Sequence, residues 1–204
     1  MNEDLQPDRL LTAYATGIFP MADEDGSLRW FAPDTRAIIE FANLRVSRSL
    51  RAVLRREAFT VRINTEFENV MRACADRPEG TWISQEIFEA YTQLHELGFA
   101  HSVEAWLDDQ LVGGLYGVSI GGAFFGESMF HRVTDASKVA LVRLIDRMRE
   151  RGFLLLDTQF MTDHLESLGA SEITRAAYER RLGEAIRVSC AFEDEVGPTC
   201  LADE

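Results

Sequence analysis

The hydrophobic and polar positions of this chain change rhythm along its length, and each rhythm predicts an element. Leu50, Val53 and Leu54 recur at helical spacing behind Ser47, so a helix capped by Ser47 is predicted to about Arg56. FTVRIN, which follows, alternates as a strand. Helical patterns return over 66–75 and 84–97, the second opened by Ser84 and stopped by Gly98. From Ser102 the pattern becomes strand-like, with a turn at Asp108-Asp109 and apolar runs over 111–120 and 123–125. Val139, Val142, Ile145 and Met148 then mark a helix ending before Gly152. FLLLD reads as a buried strand, and TDHLESLGA as a short helix closed by Gly169. In the first forty residues Pro20 and Pro33, in GIFPM and WFAPDT, disfavour continuous regular structure.

Consecutive strands joined by short turns imply antiparallel pairing, and the later alternation of helix and strand implies an α+β fold. Helices are expected over the face of a mixed, mainly antiparallel sheet. No repeat, low-complexity linker or Pro/Gly-rich hinge divides the chain.

Composition narrows the class. At 204 residues, 46% hydrophobic and 27% charged, the chain can bury one good core. No apolar run is long enough to span a bilayer, and MNEDLQPDRL lacks the basic and apolar regions of a signal peptide. Cys74, Cys190 and Cys200 are odd in number and widely spaced, which fits neither a disulfide framework nor a paired metal motif. A reduced, cytoplasmic, monomeric protein with no membrane partner is expected. The net charge of −13 argues against a surface that coats nucleic acid. Yet Arg45, Arg48, Arg51, Arg55, Arg56 and Arg62 crowd one stretch with Glu57 as its one acid. Composition leaves two readings open there, a solvated helix face and a docking patch for phosphates.

The usual catalytic signatures are missing: GxSxG, HExxH, GxxxxGK[ST] and GxGxxG do not occur, and His95, His101, His131 and His164 have no metal-ligand spacing. What stands out is polar residues in apolar surroundings. Asp157 and Gln159 follow three leucines, and Glu127 lies between FFG and SMF. A carboxylate in such a setting is desolvated unless paired, and perturbed carboxylates mark working sites. In a regular strand residues 157 and 159 face the same side and can meet one ligand. The plainer alternative is that Asp157 caps the helix that follows.

The segments AYATGIFPM, WFAPDTRAII, SRSLR, EGTWI, AYTQLHELGFAHSVEAW, LVGGLYGV, FFGESMFHR, ASKVAL, DTQ and HLESLGA, in that order, resemble the bacterial leucyl/phenylalanyl-tRNA–protein transferase family over about 10–181. The resemblance implies a small N-terminal domain, set at 1–62, and a catalytic domain over 63–204 with the fold of the GNAT acyltransferases. It implies transfer of leucine or phenylalanine (or methionine) from aminoacyl-tRNA to the N-terminus of proteins beginning with arginine or lysine, marking them for N-end-rule degradation. No metal or other cofactor is implied, because the donor is already an activated ester.

The same resemblance assigns roles. Asp157, Gln159 and Glu127 fall at the catalytic centre, with the Gln159 carbonyl accepting a hydrogen bond from the attacking amine and Asp157 orienting the glutamine. Leu115, Phe124, Met129, Leu144, Met148 and Leu156 fall around the donor side chain, and Trp82 falls on the terminal adenine. This chain reads GIFPM where better-known members read GIFPW, so Met21 is expected to cover the adenine by its thioether, and nearby Trp30 is the candidate for a second ring. Relative to those members the chain starts late, before Leu10. Arg45, Arg48, Arg51, Arg55 and Arg56 become candidate contacts to the tRNA acceptor stem. The competing enzyme class is a CoA-dependent N-acyltransferase, against which stands HRVTDASK, lacking the glycines of a pyrophosphate loop. A tRNA-binding protein without catalysis would leave Asp157 and Gln159 idle.

Overall fold

The computed structural model describes residues 3–23, 25–78 and 80–193; Cys200 lies outside them. In chain order the elements are α1 (Pro7–Ala15), β1 (Phe19–Ala22), β2 (Leu28–Phe31), β3 (Thr35–Ile38), α2 (Arg48–Arg55), β4 (Thr60–Ile63), α3 (Phe67–Ala75), α4 (Gln85–Glu96), β5 (Ala100–Leu107), β6 (Gln110–Ile120), β7 (Ala123–His131), α5 (Ala136–Glu150), β8 (Leu155–Gln159), α6 (Asp163–Ser167), β9 (Ser171–Thr174) and α7 (Arg175–Ala185). Ser47 and Ser84 cap α2 and α4 through Leu50 N–H and Ile87 N–H, as their positions predict.

Seven strands form one sheet in the order β4-β5-β6-β7-β8-β3-β9, and β1 and β2 form a separate ribbon. Every pairing is antiparallel except β7 with β8, whose connection runs through the crossover helix α5. The fold is therefore α+β around a mainly antiparallel mixed sheet. Strand alternation divides the core between its two faces. Tyr116, Val118, Phe125 and Leu155 pack with α1, α3, α4 and α7. Val103, Leu115, Phe124 and Leu156 pack with α5.

The start of the chain is more regular than its prolines suggest. Pro7 opens α1, where its missing N–H costs nothing. Pro20 sits in the two-stranded β1-β2 ribbon, where one side of the strand needs no partner. The strands β1 and β2 stay outside the large sheet, whereas β3 joins it next to the β9 edge, between β8 and β9. The strand β9 and helix α7 lie beyond the segments whose pattern predicts an element.

Candidate active site

A cavity of about 490 Å³ opens where β7 and β8 part. Their parallel ladder holds from Ala123–Leu155 to Phe125–Asp157 and goes no further, and the next residue of β7, Gly126, lines the cavity. Glu127 follows at a slip in the β6-β7 ladder: Tyr116 pairs Ser128 and Gly117 pairs Gly126, which leaves Glu127 as the extra residue of a bulge. Gly117 is required there, since a Cβ on it would come within 2.2 Å of the Phe125 carbonyl oxygen. Leu115, Met129, Leu141, Leu144 and Leu156 supply an apolar wall, and Met21 and Trp82 line the same space.

The Glu127 carboxylate is held by two buried phenols. Tyr14 of α1 donates to it at 2.7 Å and Tyr91 of α4 at 3.5 Å, and the two hydroxyls also bond to each other. Removal from water pushes Glu127 up to about 8, with a further push from the nearby Asp157 charge, against the Tyr14 bond, Arg36 and the Tyr91 bond. Burial also raises both phenols well above their ordinary range, so they remain protonated donors.

Gln159 is 6% exposed and stands at φ +58, a left-handed backbone uncommon for a residue with a side chain. Its N–H donates to Asp157 Oδ1 at 2.8 Å, and its Nε2 points to Glu127 Oε1 at 3.5 Å. Asp157 itself is fully buried and does not line the cavity. Arg36 grips it from β3 through Nε at 2.9 Å and Nη2 at 2.7 Å, and Tyr178 of α7 donates to it at 2.6 Å. Burial works against the charge on Arg36, yet the Asp157 carboxylate outweighs it and holds the guanidinium above its ordinary value. The Arg36 guanidinium lies between the rings of Phe19 and Tyr178 and donates to the Gly17 carbonyl at 3.0 Å. Gly17, at φ +81, leaves no room for a Cβ, which would sit 2.8 Å from Tyr178.

The structure thus separates residues that regular alternation would put side by side. The left-handed turn at Gln159 and the β3-β8 register shift send Gln159 to the cavity and Asp157 behind it. Asp157 does not cap the next helix either; Thr162 does, through Leu165 N–H. Glu127, Gln159, Trp82, Met21, Leu115, Met129, Leu144 and Leu156 come together around the cavity. Phe124 and Met148 are buried in the core beneath the wall and do not reach it. Trp30 pairs across the ribbon with Pro20, one residue out of step with Met21, and lines a different hollow beside α1. Arg48, Arg51, Arg55 and Arg56 are exposed on or just after α2, which packs through Leu50 on Val139 and Val142 of α5. Arg45 is exposed and reaches the Glu166 carbonyl, whereas Arg62 is committed to Asp109 and the Trp106 ring.

Sequence reasoning missed Arg36, Tyr14, Tyr91 and Tyr178. Arg36 had a legible signal, a lone cation entering the apolar run AII, the mirror image of Asp157 after its leucines. The tyrosines had none, because a buried hydroxyl and a packed ring read alike in a sequence.

A sequence family described as Leucyl/phenylalanyl-tRNA protein transferase matches residues 38–183, and its N-terminal domain matches residues 3–34. The chain belongs to this family. It is 55% identical to the leucyl/phenylalanyl-tRNA–protein transferase of Ruegeria sp. (strain TM1040), over 89% of this chain and 87% of that one. It is 53% identical to the protein of that name from Gloeobacter violaceus, over 92% and 97% of the two chains. The chain is accordingly a transferase. Among solved structures it is similar to a ribosomal-protein-alanine N-acetyltransferase from Brucella melitensis, with a TM-score of 0.38, 19% identity, and coverage of 60% of this chain and 90% of that one. The fold class rests on the sheet topology above, not on that likeness. Among the described residues no helix is long and apolar enough to cross a membrane.

Proposed function

We propose that this chain moves leucine, or phenylalanine or methionine, from aminoacyl-tRNA to the α-amine of proteins that begin with arginine or lysine, marking them for N-end-rule degradation. One observation carries the reading: an apolar pocket of donor size opens onto a carboxylate and an amide at the parting of two strands. Leucine and methionine walls suit unbranched or γ-branched apolar side chains and reject charged ones.

The reaction is ester aminolysis. The acceptor nitrogen forms a bond to the ester carbonyl carbon, and the bond from that carbon to the ribose oxygen breaks. With Nε2 of Gln159 turned to Glu127, its carbonyl oxygen is left to accept from the attacking amine and align the lone pair. Glu127, at about 8, matches the ordinary value of an α-amine, about 8. The proton shed by the nitrogen passes to Glu127 and from there to the departing ribose oxygen. Asp157 works at one remove, holding the backbone of Gln159 in place. Trp82 stacks on the terminal adenine with Met21 opposite, and the α2 arginines meet the acceptor stem, where added salt weakens donor binding.

The test is a transfer assay with labelled leucyl-tRNA and two peptides that differ in an N-terminal arginine or alanine, without ATP or CoA. Label on the arginine peptide alone is the expected result. Transfer that requires an acyl-CoA, or donor binding without turnover, would overturn the reading.

A further inference from the structure

The chain carries 34 acids against 21 bases, and several of its arginines sit against a carboxylate, as Arg9, Arg29, Arg62, Arg72, Arg175 and Arg181 do. Two beside the site do not. Arg77 lines the cavity together with Trp82; its Nε donates to the Cys74 carbonyl at 3.0 Å, and its Nη2 donates to Ser128 Oγ at 2.9 Å and the Met129 carbonyl at 3.2 Å. Arg132 directly follows β7; its Nη1 donates to the Leu111 carbonyl at 3.1 Å, and its guanidinium lies over Phe130. It borders an adjacent hollow of about 310 Å³ with Asn69, Arg72 and Asp76. Among the described residues neither Arg77 nor Arg132 makes an ion pair.

Both guanidinium groups are therefore held in place by neutral oxygens while their charge stays unmatched. Arg77 is anchored at Ser128–Met129 of β7, and Arg132 at the Leu111 carbonyl of the facing strand β6. A fixed fork with free N–H groups is the arrangement that recognises a phosphate oxygen pair. The α2 arginines are poorly placed for phosphates next to the cavity. Their helix rests on Val139 and Val142, whereas the cavity is lined by Ser137, Leu141 and Leu144, on the other side of α5.

We infer that Arg77 and Arg132 form a binding site for the phosphodiester that precedes the terminal nucleoside of the donor. The inference rests on the reading of the cavity as the aminoacyl-nucleoside site. It divides the donor's backbone between two cationic surfaces: a near one at the end of β7, which sets the register of the ester over Gln159, and a far one on α2.

The experiment uses the full chain, an arginine-peptide acceptor and two donors, leucyl-adenosine, which has no phosphate, and leucyl-cytidylyl-adenosine, which has one phosphodiester. Wild type is expected to use the dinucleotide donor with a KM about ten-fold lower, an advantage that shrinks with added salt. Arg132→Ala should bring the two donors to the same KM while leaving leucyl-adenosine turnover unchanged, which also reports that the variant is folded. Arg132→Lys should retain part of the advantage. If wild type shows no preference for the dinucleotide, or Arg132→Ala keeps it, the phosphodiester site is wrong although the cavity reading stands. If neither donor supports transfer, the cavity reading fails and takes this site with it.

Discussion

Glu104 and Glu127 are both glutamates on central strands of one sheet, both amid apolar neighbours, and they live in opposite circumstances. Glu104, on β5, is fully buried and accepts four hydrogen bonds: from the N–H groups of Thr65 and Glu66 at the entry to α3, from the Ser102 hydroxyl, and from the Trp106 indole. Two backbone dipoles at a helix start and two side-chain donors replace the water it lost. Glu127 has two phenols and a distant amide, a bulged backbone and a second carboxylate nearby, and is pushed up to about 8. Burial alone thus does not make a carboxylate reactive. A carboxylate fully supplied with donors by the protein is scaffold; an under-supplied one facing a cavity is the candidate for chemistry.

The largest effect should come from Glu104. Glu104→Ala takes the acceptor from four donors, two of them the buried side chains of Ser102 and Trp106, and a loss of about 3–5 kcal/mol in unfolding free energy is expected by urea denaturation. A loss under 1 kcal/mol would mean that water takes over the carboxylate's place and that the contrast with Glu127 is false. Glu127→Gln should do the reverse. Transfer is expected to fall about 10²–10³-fold in kcat/KM, as when a positioned proton carrier is lost, with stability within about 1 kcal/mol of wild type. Near-native turnover would remove Glu127 from the mechanism.

Glu127 can also be followed by pH. Glu127 is raised in the folded chain, so between its ordinary value and about 8 the folded state holds a proton that the unfolded state has lost. The stability from its neutral form is fully present below the ordinary carboxylate range and is lost as pH rises through about 8. Wild type should therefore weaken relative to Glu127→Gln as pH is raised from about 5 to 8.5, measured as urea midpoints of the two proteins. Parallel curves would show that the carboxylate ionises freely in the fold.

Why the sequence announces one part of this and not the other follows from where the partners lie. The helices α2 to α5 and the β5-β6-β7 meander are legible because their burial is periodic along the chain, and the caps Ser47 and Ser84 act on residues three positions away. Glu127, Asp157 and Gln159 are legible as polar residues in apolar runs. Their circumstances are not, since Tyr14 reaches Glu127 across 113 positions and Arg36 reaches Asp157 across 121. The expectation that Asp157 and Gln159 share a face fails because the left-handed turn at Gln159 is tied to Asp157 by a hydrogen bond, and Asp157 is fixed from α7 and β3. Trp30 misleads in the same way, because a ribbon register is set by pairing and not by nearness to Met21.

The finest test lies in one hydroxyl. Tyr14 donates to Glu127 at 2.7 Å, and that bond favours the charged carboxylate. Tyr14→Phe keeps the ring against Phe125 and removes the donor, so Glu127 should move further up while stability falls by about 1 kcal/mol. If Glu127 must be ionised to take the proton of the attacking amine, kcat/KM should rise with pH at a higher midpoint in Tyr14→Phe than in wild type, the acceptor amine being the same in both. Tyr91, at 3.5 Å, is the weaker donor, and Tyr91→Phe should move the midpoint in the same direction by less. An unchanged profile in both variants would mean that the phenols serve only packing. Glu127 would then resemble Glu104 more closely than its surroundings suggest.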